Sequence, residues 1–533
     1  MAAAVVIAVS GIPGTAWPAE KPDDGQAKPA APPAGPPVRK FTINEFRVEG
    51  ASQLSALEVE AVLLPFVGPD RGLEDVEHAR AALEKVYSDK GYQSVLVAIP
   101  QQTVRQGIVT LRVTEGKVGR LRVRGARYFS VFDIKKEAPS VAEGTVPNFN
   151  DVVHDIYVLN QMPDRRVTPV IRAGDQPGTM DVDLKVEDTL PVHGSAEVNN
   201  RYSANTTHTR INGSIHYDNL WQLGHSLGFS FQIAPKRIQD AEVFAGNYLA
   251  RFPGAPWLSL SFTGVIQESN VSTLGGTAVN GRGRIFGGRA IFTLPGSSTF
   301  FHSVSVGFDY KLFLEDITLG TSASSNPVHY WPVTAQYGAS WLERASQTQL
   351  TVSATFNVRG ISSNDELFDN KRYKASSSFA YFRGSLDRTD DVFWGMQTFV
   401  RASGQYTNAP LVGPEQMTAG GVETVRGYLE VEAVGDYGVL GTAEIRSPSL
   451  GTWLGPTVNE WRFHVFAEGG RVWIHDALPE QKVFSTLLGV GGGTRLRLFG
   501  HLNGSFEIGV PLKVAGATPL HQTRFHFRVS GEF

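Results

Sequence analysis

From Val192 to the C-terminal Phe533 apolar and polar residues alternate, and this period of two limits the fold more than any other feature of the chain. Leu227, Phe229, Phe231 and Ile233 interleave with Ser226, Gly228, Ser230 and Gln232. Val304, Val306, Phe308, Tyr310 and Leu312 interleave with Ser303, Ser305, Gly307, Asp309 and Lys311. Leu350, Val352, Ala354, Phe356 and Val358 alternate with Gln349, Thr351, Ser353, Thr355 and Asn357. Each strand therefore has one apolar and one polar face. A soluble sandwich alternates too, but its polar face meets bulk water and is rich in Lys. Here the polar face is mostly Ser, Thr, Gly, Gln and Asn, and the apolar face carries Phe, Trp, Leu and Tyr. The runs reach the roughly 9–11 residues that cross a bilayer when tilted, against about 5–6 in soluble strands. The pattern predicts a transmembrane β-barrel.

Strands centre near residues 197, 213, 230, 245, 262, 287, 307, 333, 354, 377, 399, 443, 465, 490, 506 and 527, sixteen in all. An even number returns both barrel ends to the periplasmic side. The last strand reads Phe525, Phe527, Val529, Gly531 and Phe533 outward, and His526, Arg528, Ser530 and Glu532 inward. Beyond the extreme N-terminus no apolar run approaches the ~18 residues of a membrane helix. The chain has no Cys, which excludes a disulfide framework and Cys-ligated metal, and its net charge of -3 gives no sign of nucleic-acid binding.

Residues 1–19 read as a signal peptide truncated at its start: an apolar run, Ala2 to Pro13, without the basic region that normally precedes it, and cleavage sites after Ala16 or Ala19. Residues 20–40 are a Pro/Ala-rich linker. A repeat follows. Phe46-Arg47-Val48-Glu49-Gly50-Ala51 recurs at an offset of 75 as Leu121-Arg122-Val123-Arg124-Gly125-Ala126, each followed four residues later by Ser55 or Ser130. Val109-Thr110-Leu111-Arg112-Val113 recurs at an offset of 73 as Val182-Asp183-Leu184-Lys185-Val186. Two matches at nearly one offset indicate tandem domains, 41–116 and 117–190. Each reads β-α-α-β-β. Leu73, Val76, Leu83 and Tyr87 give the first an apolar helix face, and Phe149, Val152, Ile156 and Leu159 do so in the second. Neither copy has a His, Asp or Ser constellation, so both read as binding modules; the chain as a whole offers no catalytic triad, no metal cluster and no nucleotide-binding loop.

The longest break in the alternation is 407–437, between predicted strands at Val392–Tyr406 and Val439–Arg446. A loop of that length in a compact domain is usually functional. It holds Gly420-Gly421-Val422-Glu423-Thr424-Val425-Arg426-Gly427-Tyr428. In the thirteenth strand, Trp461, Phe463, Val465 and Ala467 take the lipid face, and Arg462, His464, Phe466, Glu468 and Gly470 take the lumen. A Phe in a polar lumen needs a surface to pack on and Glu468 needs a cation. If the loop folds inward, Arg426 pairs with Glu468 and Tyr428 packs near Phe466, a guanidinium being shaped for a carboxylate.

The β-α-α-β-β repeat, with F-x-V-x-G opening it and V-x-L-x-V closing it, resembles polypeptide-transport-associated (POTRA) domains. Leu159-Asn160-Gln161-Met162-Pro163 is similar to the second such domain of two-partner secretion transporters. Val425-Arg426-Gly427-Tyr428 in the loop after strand eleven, and Phe466-Ala467-Glu468-Gly469-Gly470 in strand thirteen, resemble the two signatures of the outer-membrane protein-transport superfamily, with Glu468 one methylene longer than the usual Asp. That length leaves open whether Arg426 meets Glu468 directly or through water. Asn219-Leu220-Trp221-Gln222-Leu223-Gly224 looks like the turn after the second strand of these transporters, and the terminal Phe533 resembles their assembly signal. Family members often carry a plug helix before the first POTRA domain; the Pro-rich 20–40 would not hold one.

The expected fold is thus mainly β: a 16-stranded antiparallel transmembrane barrel at 191–533, with the lumen loop 407–437, preceded by two small α+β POTRA domains. The resemblance implies a bacterial outer-membrane pore with periplasmic POTRA domains, which secretes an unfolded, β-rich exoprotein of the adhesin or haemolysin type. Its partners would be that exoprotein, outer-membrane lipid and, during biogenesis, the barrel assembly machinery. It implies no enzyme activity, cofactor, metal or nucleic acid. The alternative from the same superfamily is a barrel assembly and insertion factor, whose members often have three or five POTRA domains.

Overall fold

A computed structural model describes residues 40–160, 162–252, 254–268, 271–272, 279–280, 282–314, 316–319, 322–325 and 327–533. The signal peptide expected at 1–19, and the linker with its question of a plug helix, lie outside the described residues apart from Lys40. The chain divides into two units, one running to Lys117 with Val146–Phe149, the other Val118–Thr145 with Asn150–Phe533.

In the first unit the strand Ile108–Glu115 lies between Glu45–Glu49, which runs parallel to it, and Val95–Ala98, which runs antiparallel. The helices Ala56–Leu63 and Leu73–Asp89 pack with it around Val76, Leu83, Tyr87, Val97, Val109 and Leu111. Ser55 caps the first helix: its side chain accepts from the Glu58 N–H while the Glu58 carboxylate accepts from the Ser55 backbone. Leu73, expected on the apolar face, is 65 % exposed because it opens its helix one turn before the core begins at Val76.

The second unit begins with the same architecture. The sheet order is Lys117–Arg124, Thr179–Asp188, Arg165–Ala173, with the helices Val131–Lys136 and Phe149–Leu159 and a core of Ile134, Val152, Leu159, Val182 and Leu184. The repeated letters of the sequence are the points where the two ends of each module touch. Gly50 has φ +89°, and a Cβ there would sit 2.3 Å from the Val113 carbonyl oxygen; Gly125 has φ +92° and the same 2.3 Å to the Val186 oxygen. Only glycine fits such a positive φ against a neighbouring backbone. Two residues beyond each of those valines stands an acid that holds the loop after the glycine. Glu115 accepts from the N–H groups of Ser52 and Gln53, and Asp188 from those of Arg127, Tyr128 and Phe129. Burial pushes the Glu115 carboxyl up, but the Ser52 hydroxyl and these backbone N–H groups outweigh it and leave it below its ordinary 4.5.

The barrel then closes with sixteen antiparallel strands, from Val192–Asn199 to Arg524–Glu532, the short Val328–Tyr330 and the following Pro332–Leu342 both pairing with Phe300–Phe313 as one interrupted strand. The seam pairs Arg528–Glu532 with Ser195–Asn199. Phe533 continues it by exchanging backbone hydrogen bonds with Gly194, against which its ring lies. No helix among the described residues is long and apolar enough to cross a membrane; the strands do so instead. Phe229, Phe262, Phe286, Phe308, Phe382, Val400, Phe463 and Val465 stand exposed on the outer wall, as the apolar faces require. One centre was misplaced. Residue 377 lies in a turn, where Ser376 and Ser377 donate to Asp365, and the tenth strand is Ala380–Asp391. The eleventh starts later than expected, at Gln397, because Phe393–Gly395 forms a tight turn with Trp394 at φ 57°.

The turn after the second strand joins the preceding α+β domain to the barrel. Gln222 accepts from the Ser130 N–H at 2.9 Å and donates to the Tyr128 carbonyl at 3.1 Å, while Asn219 donates to Gln222 at 2.9 Å. Gly224 abuts the Met162 side chain.

Candidate functional site

The loop between the eleventh strand, Gln397–Thr407, and the twelfth, Tyr437–Arg446, folds into the barrel. Its stem is a short ladder, Met417–Ala419 against Ala433–Gly435. At its tip Gly421 and Val425 form a bridge, and the Gly420 N–H donates to the Thr424 hydroxyl. This tight turn aims Arg426 at the wall.

Arg426 is 3 % exposed and meets three carboxylates from three strands. Its Nη2 lies 2.7 Å from Glu468 Oε1 on the thirteenth strand (Val458–Trp473) and 2.9 Å from Glu444 Oε2 on the twelfth. Its Nη1 lies 3.2 Å from Glu507 Oε1 on the fifteenth (Leu502–Pro511). The backbone takes part as well: the Arg426 N–H donates to Glu468 Oε2 at 2.7 Å, and its carbonyl accepts from His526 Nε2 at 2.6 Å. The Arg426–Glu468 contact is therefore direct, with no bridging water needed; the extra methylene of Glu lets one carboxylate reach both side chain and main chain. Arg446 and Arg495 also bind Glu444, at 2.7 and 3.3 Å, and His464 and Arg495 bind Glu507 at 3.1 and 3.2 Å.

Phe466 supports this cation. The Arg426 guanidinium carbon lies 3.5 Å from the centre of its ring, within the range of a cation–π contact. The expected packing of Tyr428 near Phe466 gives way to this arrangement. Tyr428 is fully buried with Val425, Leu440, Val472 and Leu487, and its hydroxyl lies 3.0 Å from the Leu488 carbonyl and 2.8 Å from that of Lys513. A buried phenol must find polar partners, and backbone carbonyls of the wall supply them. Gly427 lies so close to the fifteenth strand that a Cβ would sit 2.8 Å from the Pro511 nitrogen. Gly470 pairs with Leu440 in the twelfth strand.

Several wall residues escaped the sequence reading. Glu444, Glu507, Arg446 and Arg495 carry no local signature, being single polar residues in alternating strands, and His526, expected to face inward, has no partner that its sequence context names. A signal existed in Gly489, Gly491, Gly492 and Gly493: glycine within a strand marks close approach of another group. Here Gly491 lies under the Phe466 ring and Gly489 beside Val425.

A second buried contact holds the start of the loop. Glu415 is fully buried, with its carboxylate 2.7 Å from Lys311 Nζ, 2.6 Å from the Tyr330 hydroxyl and 2.7 Å from that of Tyr381. Its main-chain carbonyl accepts from Arg383 at 2.9 Å and Gln405 at 3.0 Å. Further on, the fully buried Asp436 accepts from the N–H groups of Leu411 and His475. Glu430 pairs with Arg201 at 3.3 Å. Beside the Arg426 cluster lies a cavity of about 330 Å³ lined by Arg401, Glu423, Arg446, Arg495 and Ser505 among others. Charged side chains of both signs line it, a surface suited to passage of polar chain rather than capture of an apolar ligand.

A family model described as POTRA domain, ShlB-type, matches residues 41–116, and one described as haemolysin secretion/activation protein ShlB/FhaC/HecB matches 178–496. The outer membrane transporter CdiB of Escherichia coli O6:K15:H31 (strain 536 / UPEC) is 26% identical, over 89% of this chain and 79% of its own length. CdiB of Dickeya dadantii (strain 3937) is 24% identical over 82% and 77%. The solved structure of CdiB from Escherichia coli shares the fold, with a TM-score of 0.62 at 21% identity over 95% of this chain and 93% of that one. With a family model matching more than half of its length on a closed barrel preceded by POTRA modules, the chain belongs to the haemolysin secretion/activation protein ShlB/FhaC/HecB family, the outer-membrane transporters of two-partner secretion, whose POTRA domains lie in the periplasm.

Proposed function

We propose that this chain recognises an unfolded, β-rich exoprotein in the periplasm through the modules at 41–116 and 117–190, and passes it outward through the barrel at 191–533. The observation that carries the reading is the loop folded into the lumen, with its tip held by a buried arginine. A pore occupied by its own loop needs a releasable latch, and Arg426 with Glu468, the motif residues Val425, Gly427 and Tyr428 around it, and Phe466 and Gly470 on the wall have the form of one. Breaking a buried pair by removing one partner costs ~3–5 kcal/mol, enough to displace a loop. The strand Val95–Ala98 is the last in the order of its sheet, and an open sheet edge accepts an extended chain by main-chain hydrogen bonding, whatever its sequence. The outward apolar band fits outer-membrane lipid, and the terminal Phe533 fits delivery by the barrel assembly machinery. Secretion is favoured over an assembly role because the family matched is a secretion family.

The absence of Cys makes a clean test available. Thr351→Cys and Ser403→Cys line a second, 450 Å³ cavity inside the barrel, whereas Val400→Cys points outward. A stalled partner should cross-link to the first two and not to the third. Equal cross-linking at all three, or none during active secretion, would refute passage through the lumen.

A further inference from the structure

The first barrel hairpin carries a cluster that the loop and its latch do not use. His193 and His216 face each other as direct cross-strand partners at the periplasmic ends of the first two strands, and Asp218 follows on the same face two residues on. The two imidazole rings stand 5.1 Å apart between centres. His216 Nε2 lies 3.3 Å from Asp218 Oδ2 and His193 Nε2 lies 4.0 Å from the same oxygen, with all three donor atoms within 4.8 Å of one another. A tetrahedral metal with bonds of about 2.0–2.2 Å holds its donors about 3.3–3.6 Å apart, so the side chains need only small movements to close on one ion.

A fourth group comes from the neighbouring POTRA module. Asp164 Oδ1 lies 2.9 Å from His193 Nε2, and the Asp164 side chain is only 5 % exposed. Its other oxygen, Oδ2, is buried with no hydrogen-bond partner. A desolvated carboxylate oxygen without a donor is costly, and a cation drawn in beside it removes that cost. Asp218 is itself braced, since the Ser226 hydroxyl donates to its Oδ1 at 2.5 Å. Such bracing of a ligand carboxylate is usual around metals.

We propose that His193, His216 and Asp218, joined by Asp164 when its carboxylate turns from His193 Nε2 toward the ion, form a binding site for a divalent transition metal of the zinc class, which ties the second POTRA module to the first barrel hairpin. Two imidazoles and two carboxylates suit zinc better than calcium or magnesium, which take all-oxygen shells. The sequence shows no such site, because Asp164, His193 and His216 follow none of the short spacings of metal motifs; strand pairing and the packing of the POTRA module bring them together.

The test uses the full chain, purified in detergent without a histidine tag and titrated with Zn2+ against a chromophoric chelator. One ion per chain should bind. His193→Gln and His216→Asn should each weaken it by roughly 100-fold, and Asp164→Asn by about 10-fold. His302→Gln, on a distant strand, should bind as wild type. Each variant is checked for the heat-dependent gel mobility of a folded barrel, so that lost binding is not lost folding. An anomalous-scattering peak between His193 and His216 in zinc-treated crystals should locate the ion. Unchanged affinity in folded His193→Gln and His216→Asn, or a peak elsewhere, would overturn the assignment and leave the cluster as a hydrogen-bonded His–Asp pair.

Discussion

The lumen loop is held at two places by clusters of opposite construction. At the tip a loop cation, Arg426, sits among the wall carboxylates Glu444, Glu468 and Glu507. Near the start a loop carboxylate, Glu415, sits among the wall groups Lys311, Tyr330 and Tyr381. The tip is balanced only as a whole: Arg426, Arg446 and Arg495 offset three glutamates, and removing Arg426 leaves a buried surplus of negative charge. Around Glu415, two of the three side-chain partners are neutral hydroxyls, so its loss strands a single lysine. The tip should thus act as the latch and the start as a hinge that keeps the loop near its place.

The largest expected effect is from Arg426→Ala. It should lower the ratio of seated to released loop by about two to nearly four powers of ten, following the ~3–5 kcal/mol of a broken buried pair, and nearly abolish secretion while the barrel still inserts. Normal secretion by that variant would remove the latch role. Glu468→Ala should resemble it, and the double variant should be little worse than either single; a double-mutant cycle with simply additive losses would show the two residues uncoupled. Glu415→Gln should be milder, because the amide can keep neutral hydrogen bonds to both tyrosines. If it impairs secretion as severely as Arg426→Ala, the assignment of latch and hinge must be reversed. Phe466→Leu removes the ring beneath the guanidinium and should cost about 0.5–2 kcal/mol, readable as faster protease cleavage of the loop.

The smallest effect on the loop comes from a change outside the barrel, which tests whether the clusters act alone. Glu115→Gln should destabilise the first POTRA module by ~1–3 kcal/mol, since its carboxylate gathers hydrogen bonds from Ser52, Gln53 and Tyr87, and should leave the loop seated. The folded carboxyl lies below 4.5, so its contribution is fully present above that value and fades as pH falls through the lower folded pKa. Acid unfolding of the variant should lose that part of its pH dependence.

Much of this was legible beforehand. Sixteen strands and the pairing of Arg426 with Glu468 follow from alternation and from one unpaired acid in a lumen-facing position. The tenth strand begins three residues beyond the centre expected at 377, because Ser376 and Ser377 bind Asp365 in a turn there. Tyr428 is expected beside Phe466 because a Phe in a polar lumen needs a surface to pack on. The guanidinium took the ring instead, and the phenol found backbone carbonyls.

By itself the sequence determined the barrel, because a period of two allows a strand one wet face and one dry face, and only closure leaves no edge unpaired within a membrane. It determined the tandem modules too, because Gly50 with Val113 and Gly125 with Val186 are contacts written at fixed distances along the chain. Tertiary structure alone decided what surrounds Arg426 and what faces His193. Glu444, Glu468 and Glu507 stand on three strands, and Asp164 belongs to another module. Charges interact through space, and neighbours that the chain reaches only after closing on itself leave no period or motif in its order.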